Sequence, residues 1–181
     1  MRKVIASEWI TLDGVAQAPI DPGEDADGGF AHGGWHLPHA ADETFRRRIE
    51  DTVGAAGGYL FGRRTYENFA AHWPNASAEE QPLAQPLNTR PKHVASTTLA
   101  EPLAWGSSTL LRGDVADAVA ALKREEGGDL LVIGSTGLVR TLFAHDLIDE
   151  LRLVIDPVLV GGGKRLFHDD GVLRPLRLVE H

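Results

Sequence analysis

Leu130-Leu-Val-Ile-Gly-Ser-Thr-Gly-Leu-Val-Arg-Thr-Leu-Phe143 decides how this chain folds. Leu130 to Ile133 is a short continuous apolar run, which predicts a buried strand. Gly134-Ser135-Thr136-Gly137 makes the turn, and Leu138, Val139, Leu142 and Phe143 recur at helical spacing. A strand, a glycine turn and a helix start in that order present unpaired backbone N–H groups. The positive end of the helix dipole points the same way, so the unit suits a phosphate. The same glycines also serve a strand-to-helix turn that binds nothing.

Working outward, strand and helix patterns alternate along most of the chain. Lys3 to Ile10 predicts the first strand, ended by the turn Thr11-Leu-Asp-Gly14. Residues 15 to 38, rich in glycine and proline, predict a long flexible loop, longer than a connector needs to be. A helix is expected from about Ala41 to Val53, a strand over Gly57–Gly62 and a short helix from Thr65 to His72. Residues 74 to 91 read as a proline-rich loop, Lys92–Thr97 as a strand and Thr109–Leu111 as a brief strand. Asp114 is placed to cap a helix with Val115, Ala118, Val119 and Leu122 on one stripe, and Gly127-Gly128 stops it. Glu150–Val160 predicts a long strand bent at Pro157, and Leu173–Glu180 a final one. The alternation means a largely parallel sheet with helices on its faces. The last two strands lack a helix between them and can pair as an antiparallel edge hairpin, making the sheet mixed.

With 181 residues, the chain is expected to be one domain over 1–181. A formal charge of −8 argues against nucleic-acid or membrane-surface partners, which want broad positive fields. A small anionic ligand feels its local site instead. The absence of cysteine removes disulfides, thiolate zinc sites and cysteine nucleophiles, and fits a cytoplasmic setting. No apolar run is long enough to span a bilayer, and the N-terminus lacks the layout of a secretion signal.

Two further strand ends carry polar chemistry. Gly62-Arg63-Arg64-Thr65-Tyr66-Glu67 places two guanidinium groups at a helix start, where their forks match phosphate oxygens. The alternative is a solvated arginine pair bridged to Glu67. Ala95-Ser96-Thr97-Thr98 puts hydroxyls at the C-terminal end of a strand, where open α/β sheets bind ligands, although such hydroxyls also form turns. Together with Gly134–Gly137, these ends describe one anion-seeking rim if the strands are parallel neighbours. The G-x-G-x-x-G fingerprint is absent. So is the Walker loop, because Gly163-Lys164 is followed by Arg165 and Val158 stands where its first glycine belongs.

Gly62-Arg-Arg-Thr-Tyr-Glu67, Val94-Ala-Ser-Thr97, Val132-Ile-Gly-Ser-Thr-Gly137 and Asp149-Glu-Leu-Arg-Leu-Val-Ile-Asp-Pro-Val-Leu-Val-Gly-Gly-Gly163 occur in the order seen in the dihydrofolate reductase-like superfamily. Thr11-Leu-Asp-Gly14 fits too. The chain most resembles the branch holding the reductase domain of bacterial riboflavin biosynthesis, from about residue 2 to 180. The resemblance implies a three-layer α/β/α sandwich around a mixed, mostly parallel sheet, and NADPH as cofactor. It implies that Arg63 and Arg64, framed by Gly62 and Thr65, meet the adenosine 2′-phosphate. Ser96 and Thr97 would lie near the adenosine ribose, and Gly134, Ser135, Thr136, Gly137 and Leu138 would hold the pyrophosphate. Thr11, Asp13 and Gly14 would flank the nicotinamide.

On the substrate side, Trp35-His36-Leu-Pro38 resembles the segment before the substrate helix of dihydrofolate reductases. There an acid two positions after the proline contacts the pterin; here that position is Ala40, a departure from folate reduction. Asp42 is the next acid, expected either to handle a proton or simply to favour a helix start. Trp35, His36 and His39 are candidate substrate contacts, Trp35 by stacking on a flat ring unless it covers the core. No metal is expected, since these loop histidines have no fixed ligand geometry. The resulting expectation is an NADPH-dependent reductase of a small heterocyclic or sugar-linked substrate, possible as a homodimer. The alternative is a non-catalytic nucleotide- or small-molecule-binding protein of the same fold. Phosphoryl transfer lacks both a phosphate loop and a metal site.

Overall fold

The computed structural model describes residues 1–40 and 42–180. Six strands form one sheet: β1 (Val4–Thr11), β2 (Gly58–Gly62), β3 (Lys92–Ala95), β4 (Ser108–Leu110), β5 (Leu130–Ile133) and β6 (Glu150–Asp156), in the order β4-β3-β2-β5-β1-β6. Every pairing between these strands is parallel. Parallel strands need crossovers, and five helices supply the bulk of them: α1 (Glu43–Ala55), α2 (Arg63–His72), α3 (Gln81–Thr89), α4 (Val115–Arg124) and α5 (Thr136–Ala144). No helix among the described residues is long and apolar enough to cross a membrane.

The period of two along each strand assigns its side chains to two cores. Val4, Ala6 and Ile10 of β1 pack with Leu130 and Val132, with Val119 and Leu122 of α4, and with Leu138, Val139 and Leu142 of α5. Ile5, Tyr59, Phe61, Val94 and Leu131 face the other way, against Val53 of α1, Tyr66 of α2 and Leu87 of α3. The result is the expected three-layer α/β/α sandwich, with both sheet faces covered as parallel sheets require.

Three expectations are corrected. Residues 74–91 are not all loop, because α3 lies inside them. Pro82 sits in its first turn, where a missing N–H costs nothing, and the buried Ala84, Pro86 and Leu87 hold the rest against the core. Leu173–Glu180 forms no strand, and β6 ends at Asp156, before Pro157. The described sheet is therefore parallel throughout, and the antiparallel hairpin is replaced by one isolated bridge between Val15 and Arg165. The expected helix start at Ala41 lies outside the described residues; Asp42 caps α1, accepting from the Phe45 backbone N–H at 2.8 Å.

Candidate functional site: a crevice at the strand ends

The C-terminal ends of β3, β2 and β5 lie side by side, and β1, next to β5, runs on past it to Thr11. Gly62 is in register with Ala95, Leu60 with Val132, and Ser7 with Ile133. From β2 the chain turns into α2 on one face of the sheet; from β5 it turns into α5 on the other. Two adjacent strands whose helices depart to opposite faces open a crevice between the helix N-termini, the position where open parallel sheets bind ligands.

Ser135 ties the two turns together. Its Oγ accepts from the Gly62 backbone N–H at 2.8 Å and donates to Thr65 Oγ1 at 2.6 Å. Gly134 and Ser135 both adopt left-handed backbone, at φ 65° and 63°. That conformation is easy for glycine and costs serine about 1 kcal/mol, which its two hydrogen bonds offset. A Cβ on Gly62 would stand 2.7 Å from Ser135 Oγ, so only glycine fits there.

Among the described residues, neither helix start receives a side-chain cap. α2 and α5 have no side-chain cap and no acid in the first turn. By contrast α1 and α4 are capped by Asp42 and Asp114 and carry Glu43 and Asp117 in the first turn. Two uncapped N-termini facing one crevice leave several N–H groups and two dipole ends for an anion. This donor set fits the diphosphate of a dinucleotide.

The structure thus brings Gly62, Thr65 and Gly134–Leu138 to one place, with Ser96 and Thr97 one strand further along. Ser96 Oγ accepts from Thr98 N–H at 3.1 Å and Leu99 N–H at 3.0 Å, so it shapes its own turn, while Thr97 is exposed. Arg63, half exposed, pairs with Glu67 at 2.8 Å. Arg64 reaches instead into the 15–38 segment, to Asp25 at 2.5 Å and Asp27 at 2.8 Å. At the end of β1, Thr11 Oγ1 donates to Asp13 at 2.6 Å, and Asp13 accepts from Gly161 N–H at 2.9 Å. The Thr11 hydroxyl holds the Asp13 carboxyl below its ordinary range against desolvation, and the Gly161 and Val160 amides add to the lowering. Asp13 therefore fastens the Val160-Gly161 turn to the end of β1.

The 15–38 segment is ordered by its own bonds rather than flexible. Trp35 Nε1 donates to Gln17 O at 2.8 Å, and Gln17 Nε2 donates to the backbone oxygens of Asp25 and Asp27 at 3.0 and 3.1 Å. Trp35 is buried, which favours core cover over ring stacking. His36 is buried too: its Nδ1 lies 2.7 Å from Asp156 Oδ2, its ring stacks on Trp9 at 4.6 Å, and its Nε2 has no partner among the described residues. His39 and Asp42 are exposed near the start of α1. The capping bond accounts for Asp42, and its placement gives no support to a proton-handling role.

Sequence reasoning missed several residues here. Glu8 of β1 is buried on the α5 face with Oε1 unpartnered among the described residues, and burial pushes its carboxyl up to about 8 against a lowering contribution from the Gly134 backbone amide. The period-two pattern Val4, Ala6, Glu8, Ile10 was the available signal. Asp25, Asp27, Asp156 and Lys164 gave none, since each acts on a residue far away in sequence.

Residues 2–181 match the family described as RibD C-terminal domain. Among solved structures, a Shewanella sp. PV-4 protein whose description assigns it to riboflavin biosynthesis has a TM-score of 0.61 at 22% identity, covering 96% of this chain and 86% of that one. A Thermotoga maritima diaminohydroxyphosphoribosylaminopyrimidine deaminase/5-amino-6-(5-phosphoribosylamino)uracil reductase also gives 0.61, at 13% identity, over 99% of this chain and 52% of that one. At such identities these likenesses carry the fold alone. The uncharacterized protein YyaP of Bacillus subtilis is 30% identical over 112 residues, 61% of this chain and 58% of YyaP, so the matched part spans little more than half of that relative. The match to the family runs across the crevice and both of its helix starts: this chain belongs to the RibD C-terminal domain family, with a dihydrofolate reductase-like fold.

Proposed function

We propose that this protein binds NADPH across the crevice and reduces a small heterocyclic or sugar-linked substrate. The observation carrying this reading is the pair of uncapped helix N-termini, α2 and α5, joined through Ser135 at adjacent strand ends. In this reading the backbone amides of Ser135–Leu138 hold the diphosphate, while the Gly134 amide serves Glu8. Arg63, whose partner Glu67 is a surface acid, takes the 2′-phosphate; a surface pair of this kind is worth little and gives way readily. Ser96 and Thr97 lie on the adenosine side, and Thr11, Asp13 and Gly14 on the nicotinamide side. When bound, the nicotinamide supplies a hydride; the protein aligns it with the acceptor and keeps water out.

Fluorescence titration with NADPH and NADH tests the cofactor assignment. Arg63→Ala weakens NADPH by about 10- to 100-fold and leaves NADH nearly unchanged. Equal weakening of both removes the 2′-phosphate assignment. Turnover is tested with 5-amino-6-(5-phosphoribosylamino)uracil, the compound in the Thermotoga neighbour's name, as the first acceptor. NADPH binding without oxidation by any pyrimidine or pterin acceptor favours the non-catalytic nucleotide-binding alternative.

A further inference from the structure

Arg64 and Lys164 meet although they come from different sides of the crevice. Arg64 is in the first turn of α2, after β2, and Lys164 follows β6; β5 and β1 lie between those strands in the sheet. What joins the two cations is a pair of acids from the loop after β1. Asp25 gives one oxygen to Arg64 at 2.5 Å and the other to Lys164 at 2.6 Å. Asp27 Oδ2 accepts from both, at 2.8 Å each.

Two carboxylates bridging two cations carry two negative charges on four terminal oxygens. A dinucleotide diphosphate carries the same charge on the same number of non-bridging oxygens. We infer that Arg64 and Lys164 form a diphosphate-binding pair, and that Asp25 and Asp27 are an internal stand-in which the ligand's diphosphate displaces. This rests on the proposed dinucleotide reading and adds Lys164, Asp25 and Asp27 to the residues that set its affinity.

Three observations support the exchange. Asp27 sits at the rim, 53% exposed, so a ligand reaches it first; Asp25 lies beneath it at 14%. A groove of about 580 Å³ opens beside them between Gly28-Gly29 and Gly161–Gly163, with Asp27 and Lys164 in its wall. Finally, the loop does not depend on the ion pairs for its shape, because Gln17 holds the backbone oxygens of both acids. Releasing the carboxylates therefore leaves an ordered turn. The Lys164 and Arg64 hydrogen bonds keep Asp27 below the ordinary carboxylate range, so the stand-in is charged at neutral pH.

The test is a titration of the full chain with NADPH, NADH and inorganic pyrophosphate, using the Asp25→Asn/Asp27→Asn double variant, the milder Asp27→Asn, and Lys164→Gln. Thermal melts confirm that each variant is folded. The double variant binds both dinucleotides about tenfold tighter and Asp27→Asn about threefold tighter, because the competing state is removed. Lys164→Gln binds both about tenfold weaker. The proposal needs both opposite shifts; tightening without the Lys164→Gln loss, or no tightening in either acid variant, overturns it while NADPH binding by the wild type leaves the reductase reading standing. Should the wild type bind neither dinucleotide yet show both shifts with pyrophosphate, the reductase reading falls and the cation pair stands. Absence of binding by all three ligands overturns both.

Discussion

Glu8→Gln is expected to stabilise this protein, and by an amount that grows with pH. Glu8 projects from β1 into the core formed by Val4, Ala6, Ile10 and the α5 residues Leu138 and Val139. Burial pushes its carboxyl from 4.5 up to about 8. Below pH 4.5 both the folded and unfolded chains hold the proton, and the group costs no stability on this account. Between that point and about 8 the unfolded chain releases the proton while the fold retains it. The fold then binds more protons than the unfolded chain, so stability falls as pH rises, by about 1.4 kcal/mol per pH unit. At pH 7 the accumulated penalty is about 3 kcal/mol, and above 8 it levels off. Glutamine has the same shape, keeps an oxygen for the Gly134 amide and has no proton to lose. Urea unfolding of wild type and Glu8→Gln at pH 5, 6, 7 and 8 reads the difference directly. The gap widens by about 2 to 3 kcal/mol from pH 5 to pH 7. Parallel stability curves across that range would refute a neutral, buried Glu8.

Lys92 is fully buried, and its ammonium donates to the backbone oxygens of Leu87, Asn88 and Arg90 at 2.8, 3.3 and 3.0 Å while lying 4.6 Å from the Trp105 ring. Lys92→Met leaves those carbonyls at the end of α3 without a donor and costs about 2–4 kcal/mol in urea unfolding; a loss under about 1 kcal/mol contradicts the assignment. Gly134→Ala forces a side chain into φ 65° and sets its Cβ 3.3 Å from Thr65 Oγ1. It costs about 1–2 kcal/mol in thermal unfolding and, by shifting the α5 amides, weakens NADPH and NADH alike; wild-type affinity for both would detach this turn from the diphosphate.

Elements whose identity lies in local chemistry were readable in the chain. The apolar run Leu130–Ile133 became β5, the glycine turn became the left-handed pair Gly134-Ser135, and Asp42 and Asp114 capped the helices they precede. The failures have physical causes. Proline made residues 81–89 look like loop, but a proline in the first turn is compatible with a helix, and packing of Leu87 outweighed the second one. Leu173–Glu180 has apolar residues but no neighbour to pair with, and a strand is made by its ladder rather than by its composition. At the site, the three strand ends could be named because each is a contiguous motif. Their fastening could not: Lys164 reaches Asp25 across 139 positions and His36 reaches Asp156 across 120, separations that only the folded topology closes.

An acidic chain can still build an anion site if its acids are kept from the relevant helix starts. This chain has 26 acidic and 18 basic residues. It spends aspartate and glutamate on the first turns of α1 and α4, and begins α2 with Arg63-Arg64 and α5 with Thr136-Gly137. The acids that do reach the α2 start are each held by a cation: Glu67 by Arg63, and Asp25 and Asp27 by Arg64 with Lys164. Net charge therefore says little about this crevice, because the Coulomb interaction that matters acts over a few ångströms and is screened beyond about 10 Å at 0.1 M salt. Local placement of charge, together with two helix starts that carry no side-chain cap among the described residues, is what the proposed phosphate site rests on in a protein of negative net charge.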